Sequence, residues 1–240
     1  MTVLITGAGK GIGFATAKVF SENGYHVILG GRNEEKLIAA CESLGERARY
    51  VLWDISDVSS AREAIGKAHA LFGDIRVFVN NAGIVAPEDN RGAYRDFFDK
   101  TEEGWDMTMN TNLKGTYFAL QAQACYMREH GIRGNIVNVC SEMGFRAALS
   151  AYDISKWGVR GMTMGIGKRL AELGIVVNGI APGETATEIL LQKEDEVKAI
   201  ASPRGKQATP EEIAREIYFL SLSRNIIGEV LVSDGGRRLF

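Results

Sequence analysis

Residues that build metal centres, disulfides and histidine-based catalytic sites are scarce in this sequence. Its 240 residues include three cysteines and three histidines. The cysteines, Cys41, Cys125 and Cys140, are far apart, odd in number and without metal-ligand spacing, which is typical of a protein from a reducing compartment. The histidines are isolated, so a Ser-His-Asp triad has little support. We therefore expect no metal site.

Long apolar runs and a charge excess are also missing. No run approaches the length of about 20 residues that a membrane-spanning helix needs. The net charge of −2 argues against an extended surface for nucleic acid or anionic membrane. An apolar strand pattern begins almost at Met1, so we expect no signal peptide. These features predict a cytoplasmic protein without nucleic-acid or membrane partners.

What the sequence does contain is an alternation of short apolar runs and helical segments, without linker, repeat or low-complexity tract. Parallel strands that are covered on both faces give continuous apolar runs of this kind. We predict an α/β fold, a Rossmann-type doubly wound parallel sheet of seven strands, as a single domain over 1–240. The polar segment 184–207 is predicted to be a substrate lid. The runs are Val3–Ile5, His26–Leu29, Arg49–Trp53, Ile75–Val79, Ile136–Val139, Ile175–Ala181 and Glu229–Val232.

A glycine-rich turn, TGAGKGIG at 6–13, follows the first run and precedes a helical pattern. Such a turn lets the backbone approach a phosphate, and the first helical N–H groups face the anion. The alternative is an ordinary glycine loop. Because the turn lies between a strand and a helix, we favour a dinucleotide site.

Cofactor choice is indicated by the end of the second run, Gly30-Gly31-Arg32. An NAD site usually places a carboxylate about 20 residues after the glycines, and none stands there. The Arg32 guanidinium suits a 2′-phosphate instead, and Lys10 is a second cation. We predict a preference for NADP(H), with NAD(H) possible. Asp54, after the third run, is predicted either to accept a hydrogen bond from adenine or to form a turn.

Candidate catalytic residues occur between positions 135 and 156. Tyr152 and Lys156 share one face if their segment is helical, and Ser141 follows a strand. A phenol has a pKa near ~10, which a nearby ammonium lowers. Such a phenol exchanges protons as a general acid or base. The alternative is a core tyrosine followed by a solvated lysine.

Two helices contain residues that form helices poorly. Asn110 and Asn112 fall within one of them, which predicts either a positioning role or a kink. The helix after Tyr152 carries four glycines, each costing about 1 kcal/mol relative to alanine. We expect another helix, of this chain or of a second subunit, to approach it closely. The glycines are Gly158, Gly161, Gly165 and Gly167.

An ordered set of motifs resembles the short-chain dehydrogenase/reductase family across essentially the whole chain. The C-terminal half is similar to 3-oxoacyl-carrier-protein reductases, and the CSEMG segment is similar to sugar and polyol dehydrogenases. The motifs are TGAGKGIG at 6–13, NNAG at 80–83, TNLKG at 111–115, a serine at 141, YDISK at 152–156, PGET at 182–185 and DGG at 234–236.

This resemblance implies roles for individual residues. Tyr152 would exchange the proton, Lys156 would lower its pKa and hold the nicotinamide ribose, and Ser141 would bind the substrate oxygen. Asn112 would complete a tetrad by supporting a water that relays protons to Lys156. Cofactor contacts are implied for the pyrophosphate (Gly7, Gly11, Ile12, Gly13), the 2′-phosphate (Lys10, Arg32), the adenine (Asp54, Ile55), the adenosine ribose (Asn80, Gly83) and the nicotinamide (Pro182, Gly183, Thr185).

Three functions are compatible with these features. The first is an NADP(H)-dependent reductase of a ketone or 3-oxoacyl group, with a small-molecule or acyl-thioester substrate. The second is a dehydrogenase of a sugar, polyol or sugar acid. The third is a cofactor-binding regulator without turnover, although such relatives usually lose the tyrosine or the lysine. The family resemblance also implies a homo-oligomer, a tetramer or a dimer. Segment 84–100 is longer than in many relatives, which argues against adopting any one relative's substrate.

Overall fold

A parallel sheet of seven strands forms the centre of the molecule. The structure, a computed structural model, describes residues 1–87, 97–187 and 202–239. Each predicted run is a strand whose bounds lie within two residues of the prediction. The strands are β1 (Thr2–Thr6), β2 (His26–Gly31), β3 (Ala48–Leu52), β4 (Ile75–Asn80), β5 (Gly134–Val139), β6 (Ile175–Pro182) and β7 (Val230–Ser233).

Helices connect the strands and cover both faces of the sheet. A π-helical segment, Asn110–Gly115, lies between the fourth and fifth helices. Short 3-10 turns follow β5 at Glu142–Phe145 and β7 at Arg237–Leu239. The helices are α1 (Gly11–Glu22), α2 (Glu34–Leu44), α3 (Ala61–Phe72), α4 (Glu102–Met109), α5 (Thr116–Glu129), α6 (Ala151–Leu170) and α7 (Pro210–Leu222).

The strand order is β3-β2-β1-β4-β5-β6-β7, and every neighbouring pair is parallel. The order reverses between β1 and β4, so the connections after these two strands leave in opposite directions. A crevice forms at such a point beyond the carboxyl ends of the strands, and ligands bind there in open α/β sheets. The predicted single doubly wound domain is confirmed.

Two apolar layers, one on each face of the sheet, make the core. Alternate residues of β1 separate into them: Leu4 packs in the layer with α3 and α5, whereas Val3 and Ile5 pack in the layer with α1 and α7. This alternation follows from the two-residue period of a strand. Because both faces are buried, the strands are apolar throughout, which explains the continuous runs in the sequence.

The unfavourable helix residues have local explanations. Asn110 and Asn112 lie in the π-helical segment, so a helix irregularity and a positioning role coincide there. In α6, a Cβ on Gly158 would lie 2.6 Å from Leu113, and one on Gly167 would lie 2.8 Å from Gly228. Both glycines therefore permit close packing within the chain.

The other two α6 glycines, Gly161 and Gly165, have open space where a Cβ would lie, as far as the described residues show. Among the described residues, the predicted approach of another helix is thus found at Gly158, where Leu113 belongs to the π-helical segment, whereas at Gly167 the close neighbours are a loop and a strand. Within the described residues, no helix is long and apolar enough to cross a membrane.

Candidate active site

A cleft of about 420 Å³ opens at the carboxyl edge of the sheet, beside the reversal of strand order. Ligand sites typically have volumes of about 300–1,000 Å³. Most of the predicted site residues line it, although they come from the loops and helix starts that follow six different strands. They are Gly7, Lys10, Gly11, Ile12, Gly13, Arg32, Asp54, Ile55, Gly83, Ser141, Tyr152, Lys156, Pro182, Gly183 and Thr185.

The glycine turn between β1 and α1 is built so that only glycine fits. Gly7 and Gly11 have φ of 65° and 56°, a region that side chains disfavour. A Cβ on Gly13 would lie 2.3 Å from the Gly7 carbonyl oxygen. The first turn of α1 therefore packs directly on the end of β1, leaving its N–H groups toward the cleft. This cradle fits a pyrophosphate.

Asn81 and Thr6 hold the turn against β4. The Asn81 amide donates to the carbonyl oxygens of Thr6 at 2.9 Å and Gly7 at 3.2 Å. The Thr6 hydroxyl accepts from the backbone N–H groups of Asn81 and Ala82, each at 3.0 Å. The sequence prediction assigned neither residue a site role, although the amides of the NNAG motif were the signal that could have shown it.

The far end of the cleft is rich in positive charge. Lys10, Arg32 and Lys36 line it, and Lys36 was not among the predicted residues. The Arg32 guanidinium lies 3.6 Å from the Asp54 carboxylate, and both side chains are well exposed. Asp54 also accepts from the backbone and hydroxyl of Ser56, so it forms the predicted turn. An exposed pair of this kind is weak, which leaves the guanidinium available to a ligand.

A capping box fixes the start of α6 and with it the catalytic candidates. The Ser150 hydroxyl accepts from the Asp153 N–H, and the Asp153 carboxylate accepts from the Ser150 N–H. This arrangement satisfies otherwise unpaired groups at a helix end. Tyr152 and Lys156 follow on the first two turns and both line the cleft. Their predicted helical relationship is confirmed.

Lys156 is buried beneath the cleft. Its ammonium donates to the Val139 carbonyl oxygen at 3.0 Å. The Cys140 thiol donates to the Lys156 carbonyl oxygen at 3.1 Å. Burial lowers the pKa of the ammonium. The lysine is therefore held at the end of β5, close to where Ser141 follows in the chain.

The pKa of the Tyr152 phenol differs from the value expected from the sequence. Burial raises its pKa to about 12, while a hydrogen bond with Ser141 opposes that rise. The Lys156 ammonium lies 5.5 Å from the centre of the ring and binds Val139 instead. Desolvation of the phenolate is thus the largest influence on this pKa. The predicted lowering of this pKa is wrong for the protein by itself, and the phenol is protonated at neutral pH.

Asn112 lies behind the cleft and braces its wall. Its amide oxygen accepts from the Ile84 N–H, and its amide nitrogen donates to the Ile84 carbonyl, both at 2.8 Å. A Cβ on Gly83 would meet the Asn112 oxygen at 3.4 Å and the Lys156 nitrogen at 3.7 Å. The structure therefore brings Asn112 close to Lys156, with Gly83 between them.

Asn80 does not reach the cleft through its side chain. The amide is fully buried and donates to the Thr116 carbonyl oxygen at 2.8 Å and to Asn138 at 3.3 Å. Residues alternate along a strand, so Asn80 faces the α5 side while Asn81 lines the cleft. The contact with an adenosine ribose that the resemblance implies for Asn80 therefore stays a prediction, and the backbone of Asn80 would have to make it.

The arrangement has a clear chemical meaning. A phenol, a hydroxyl and an ammonium converge at one end of a cleft whose other end is cationic and whose middle is a glycine cradle. Comparison with known proteins agrees: a family model described as short chain dehydrogenase matches residues 1–198. The chain belongs to the short-chain dehydrogenase/reductase family. It is therefore an oxidoreductase that binds a nicotinamide cofactor and acts on CH–OH groups.

Curated relatives of this short-chain dehydrogenase cover nearly its whole length. A 3-oxoacyl-[acyl-carrier-protein] reductase FabG of Thermotoga maritima is 38% identical, over 97% of this chain and 96% of its own. A (2S)-[(R)-hydroxy(phenyl)methyl]succinyl-CoA dehydrogenase subunit BbsD of Thauera aromatica is 35% identical, over 99% and 96%. A gluconate 5-dehydrogenase of Gluconobacter oxydans is 33% identical, over 97% and 93%.

Solved structures of the family superpose closely on this short-chain dehydrogenase. ElxO with NADP bound has a TM-score of 0.89 at 32% identity, covering 100% of this chain and 99% of its own. A 3-ketoacyl-(acyl-carrier-protein) reductase from Brucella melitensis complexed with NADH has a TM-score of 0.87 at 28% identity, covering 98% and 97%. Members with either cofactor thus share the fold.

A group of charged residues at the site was missed by the sequence prediction. Arg237, after β7, contacts the carboxylates of both Glu142 and Glu184. Glu142 directly follows Ser141, and Glu184 follows Gly183. Glu142 and Arg237 are 95 positions apart, so no local pattern could reveal the pair.

Proposed function

We propose that this short-chain dehydrogenase is an NADP(H)-dependent reductase of a ketone or 3-oxoacyl carbonyl. The observation that carries the proposal is the convergence of Ser141, Tyr152 and Lys156 in one cleft with the glycine cradle and a cationic end. When bound, the nicotinamide supplies or accepts the hydride. The protein orients the reactants and manages the proton.

In this proposal Tyr152 donates a proton to the carbonyl oxygen as that oxygen becomes an alcohol. The raised pKa keeps the phenol protonated at neutral pH, which is the form that a reduction needs. Ser141, hydrogen-bonded to the phenol, orients the same oxygen. Lys156 would hold the nicotinamide ribose, and Asn112 supports the wall beside it. General acid catalysis of this kind contributes about 10²–10⁴-fold.

The remaining cofactor contacts are proposed from the same cleft. The glycine turn would hold the pyrophosphate, Asp54 and Ile55 the adenine, Gly83 the adenosine ribose, and the Pro182–Thr185 segment the nicotinamide side. Lys10, Arg32 and Lys36 at one end supply the charge that a 2′-phosphate requires. Charge-assisted hydrogen bonds to such a group contribute about 1.5–3 kcal/mol.

The substrate class rests on the lining of the cleft and on the relatives. Ile84, Val85, Met143 and Leu149 line the cleft, and apolar walls favour a ketone or an acyl chain over a polyol. Two of the three relatives named above act on acyl thioesters by their names. Similarity to the gluconate 5-dehydrogenase supports a second candidate function, the oxidation of a sugar, polyol or sugar acid.

A panel of substrates and both cofactors tests the function. We expect turnover with NADPH on ketones or 3-oxoacyl esters and little on polyols, and a loss of about 10²–10⁴-fold in Tyr152→Phe. Oxidation of polyols without reduction of ketones would support the second candidate. Tight NADPH binding without turnover on the whole panel would support the predicted alternative of a regulator.

Arg32→Asp tests the cofactor preference. Loss of the guanidinium and gain of a carboxylate should lower kcat/KM for NADPH by about 10–100-fold, since each 1.4 kcal/mol is tenfold, and raise it for NADH. Arg49→Asp is the matched control, because Arg49 is a β3 residue whose guanidinium lies over Phe72. A wild-type preference for NADH, or equal effects of both variants, would reject the assignment.

We also propose that the chain forms a homo-oligomer through the outer surfaces of α4, α5 and α6. Exposed large side chains there include Trp105, Tyr117 and Met164, and Gly161 and Gly165 leave room for a close neighbour within the described part of the chain. Light scattering should give a multiple of 26.2 kDa, which Gly161→Arg should reduce. A monomer at micromolar concentration would contradict this.

The cytoplasmic location and the lid at 184–207 stay predictions, the latter because 188–201 lie outside the described residues.

A further inference from the structure

A single arginine lies between two buried carboxylates at the edge of the cleft. One nitrogen of the Arg237 guanidinium is 2.8 Å from a Glu142 oxygen and 3.0 Å from a Glu184 oxygen. The side chains of Arg237 and Glu142 are 12% and 3% exposed, and that of Glu184 is 5% exposed. We call these three residues the carboxylate clamp. One guanidinium thus contacts two carboxylates that come from different loops.

The clamp connects the ends of three adjacent strands. Glu142 opens the 3-10 turn after β5 and directly follows Ser141. Glu184 lies after β6, between Gly183 and Thr185, and both glutamates line the cleft. Arg237 comes from the 3-10 turn after β7. One side chain therefore joins the loop that carries the catalytic hydroxyl to the loop proposed to lie on the nicotinamide side.

The turn that carries Arg237 is itself fixed. The Asp234 carboxylate accepts from the N–H groups of Gly236 at 2.9 Å and Arg238 at 3.0 Å. The backbone of Asp234 packs closely on the loop after β6: a Cβ on Gly183 would lie 2.8 Å from the Asp234 Cα. The guanidinium thus enters the clamp from a braced backbone.

Burial makes the clamp different from a surface ion pair. Arg204 and Glu212, in the same region, pair with both side chains about one-third exposed, and such pairs contribute little. A buried pair that loses one partner leaves an uncompensated charge in a poorly solvated place. Removal of Arg237 would therefore take away a buried charge that contacts both carboxylates, so Glu142 and Glu184 would separate and their loops would move with them.

We propose that Arg237 is a positioning residue that holds Ser141 and the Gly183–Thr185 loop in register by clamping Glu142 to Glu184. This inference rests on the proposed hydride transfer, because register between these loops matters only if substrate and nicotinamide meet there. Misplacement by about 1 Å at a reacting centre can cost about 10²-fold in rate. The clamp is thus a part of the site contributed by the turn after β7.

The charges of the clamp also bear on the pKa of the Tyr152 phenol. The Glu142 carboxylate raises the pKa of Tyr152, and the Arg237 guanidinium lies 2.8 Å from that carboxylate. The other groups that face the phenol are Ser141, which lowers its pKa, Cys140 and Asp153, which raise it, and the Lys156 ammonium at 5.5 Å from the ring. Arg146, 3.5 Å from Glu142, is a second counter-charge.

Three variants test the proposal in the full-length protein. Arg237→Gln should lower kcat by about 10–100-fold with KM for the carbonyl changed less than about threefold. Glu142→Gln should also lower kcat. The two should move the apparent pKa of the pH–rate profile in opposite directions, upward for Arg237→Gln and downward for Glu142→Gln. Arg224→Gln, the same change on an exposed side chain of the loop between α7 and β7, should leave kcat and the profile unchanged.

A merely structural role gives another result. It predicts that both variants lose stability but keep kcat in the folded fraction, or that both shift the profile the same way, and either finding overturns the proposal. If Arg237→Gln does not fold, Arg237→Lys decides: it keeps the charge but not the shared geometry. It should fold with kcat lowered about 3–10-fold, and wild-type kcat would overturn the clamp.

Hydrogen exchange separates this inference from the proposed function. The Gly144 N–H donates to the Ser141 carbonyl, and the Ala186 N–H donates to the Ala208 carbonyl, each at 2.9 Å. With NADPH added, both amides should exchange at least tenfold faster in Arg237→Gln than in wild type. Unchanged exchange overturns the clamp even if the enzyme reduces ketones. Faster exchange supports the clamp's hold on the loops even if wild type reduces nothing on the panel.

Discussion

Asn112 offers the sharpest test of how the cleft wall is held. Asn112→Ala removes two hydrogen bonds of 2.8 Å to the backbone of Ile84. A lost bond that leaves a polar group unsatisfied costs about 1–3 kcal/mol. Because Ile84 is partly exposed, water replaces some of this loss, and we expect the free energy of unfolding to fall by about 3 kcal/mol. For a chain of this size that lowers Tm by about 6–12 °C.

Asn110 supplies the control for this experiment. It lies in the same π-helical segment, and its side chain makes no hydrogen bond to any residue of the described ranges. Asn110→Ala should change stability by less than about 0.5 kcal/mol. Thermal unfolding by circular dichroism at equal protein concentration, with kcat from the same samples, measures both effects. If the two variants melted within 2 °C of each other, the two bonds to Ile84 would not be holding the wall.

Three further predictions concern packing, titration and the cofactor cradle. Gly167→Ala should lower Tm, since its Cβ would lie 2.8 Å from the Gly228 backbone. Gly66→Ala, at a position with open space around it in the described structure, should raise the free energy of unfolding by about 0.5–1 kcal/mol. A stabilised Gly167→Ala with a destabilised Gly66→Ala would contradict the packing. Burial lowers the pKa of His69 to about 4, so the unfolded chain binds more protons below pH 6.5 and stability should fall by about 2 kcal/mol between pH 7 and 5. Urea unfolding measures this, and His69→Gln should abolish it. Gly13→Ala, whose Cβ would meet a carbonyl oxygen of the glycine turn at 2.3 Å, should weaken NADPH binding at least tenfold by calorimetry, and unchanged affinity would refute the cradle.

The sheet and the cofactor cradle could be predicted because their signals are local. Each buried strand is a short apolar run, and each run ends where the sheet edge begins. The glycine turn needs Gly7 and Gly13 within one short segment, so sequence order alone reveals it. Tyr152 and Lys156 are likewise one helical turn apart, and the capping residue Ser150 is adjacent to them.

Features that depend on burial or on distant partners could not be predicted. The pKa of Tyr152 depends on desolvation, which the spacing of Tyr152 and Lys156 does not reveal. Asn80 and Asn81 are equivalent in sequence, and the strand pleat alone turns one inward and the other toward the cleft. The link between Glu142 and Arg237 spans 95 positions, and only the parallel arrangement of β5, β6 and β7 brings them together.

The turn after β7 has a practical consequence for anyone who handles this protein. A dye or reporter attached at Leu239 would be tethered two residues from the guanidinium at the cleft. Thr2 begins β1 at the opposite edge of the sheet from the glycine turn, so a label attached there stays away from the chemistry. Activity data from the two kinds of labelled protein should therefore not be pooled.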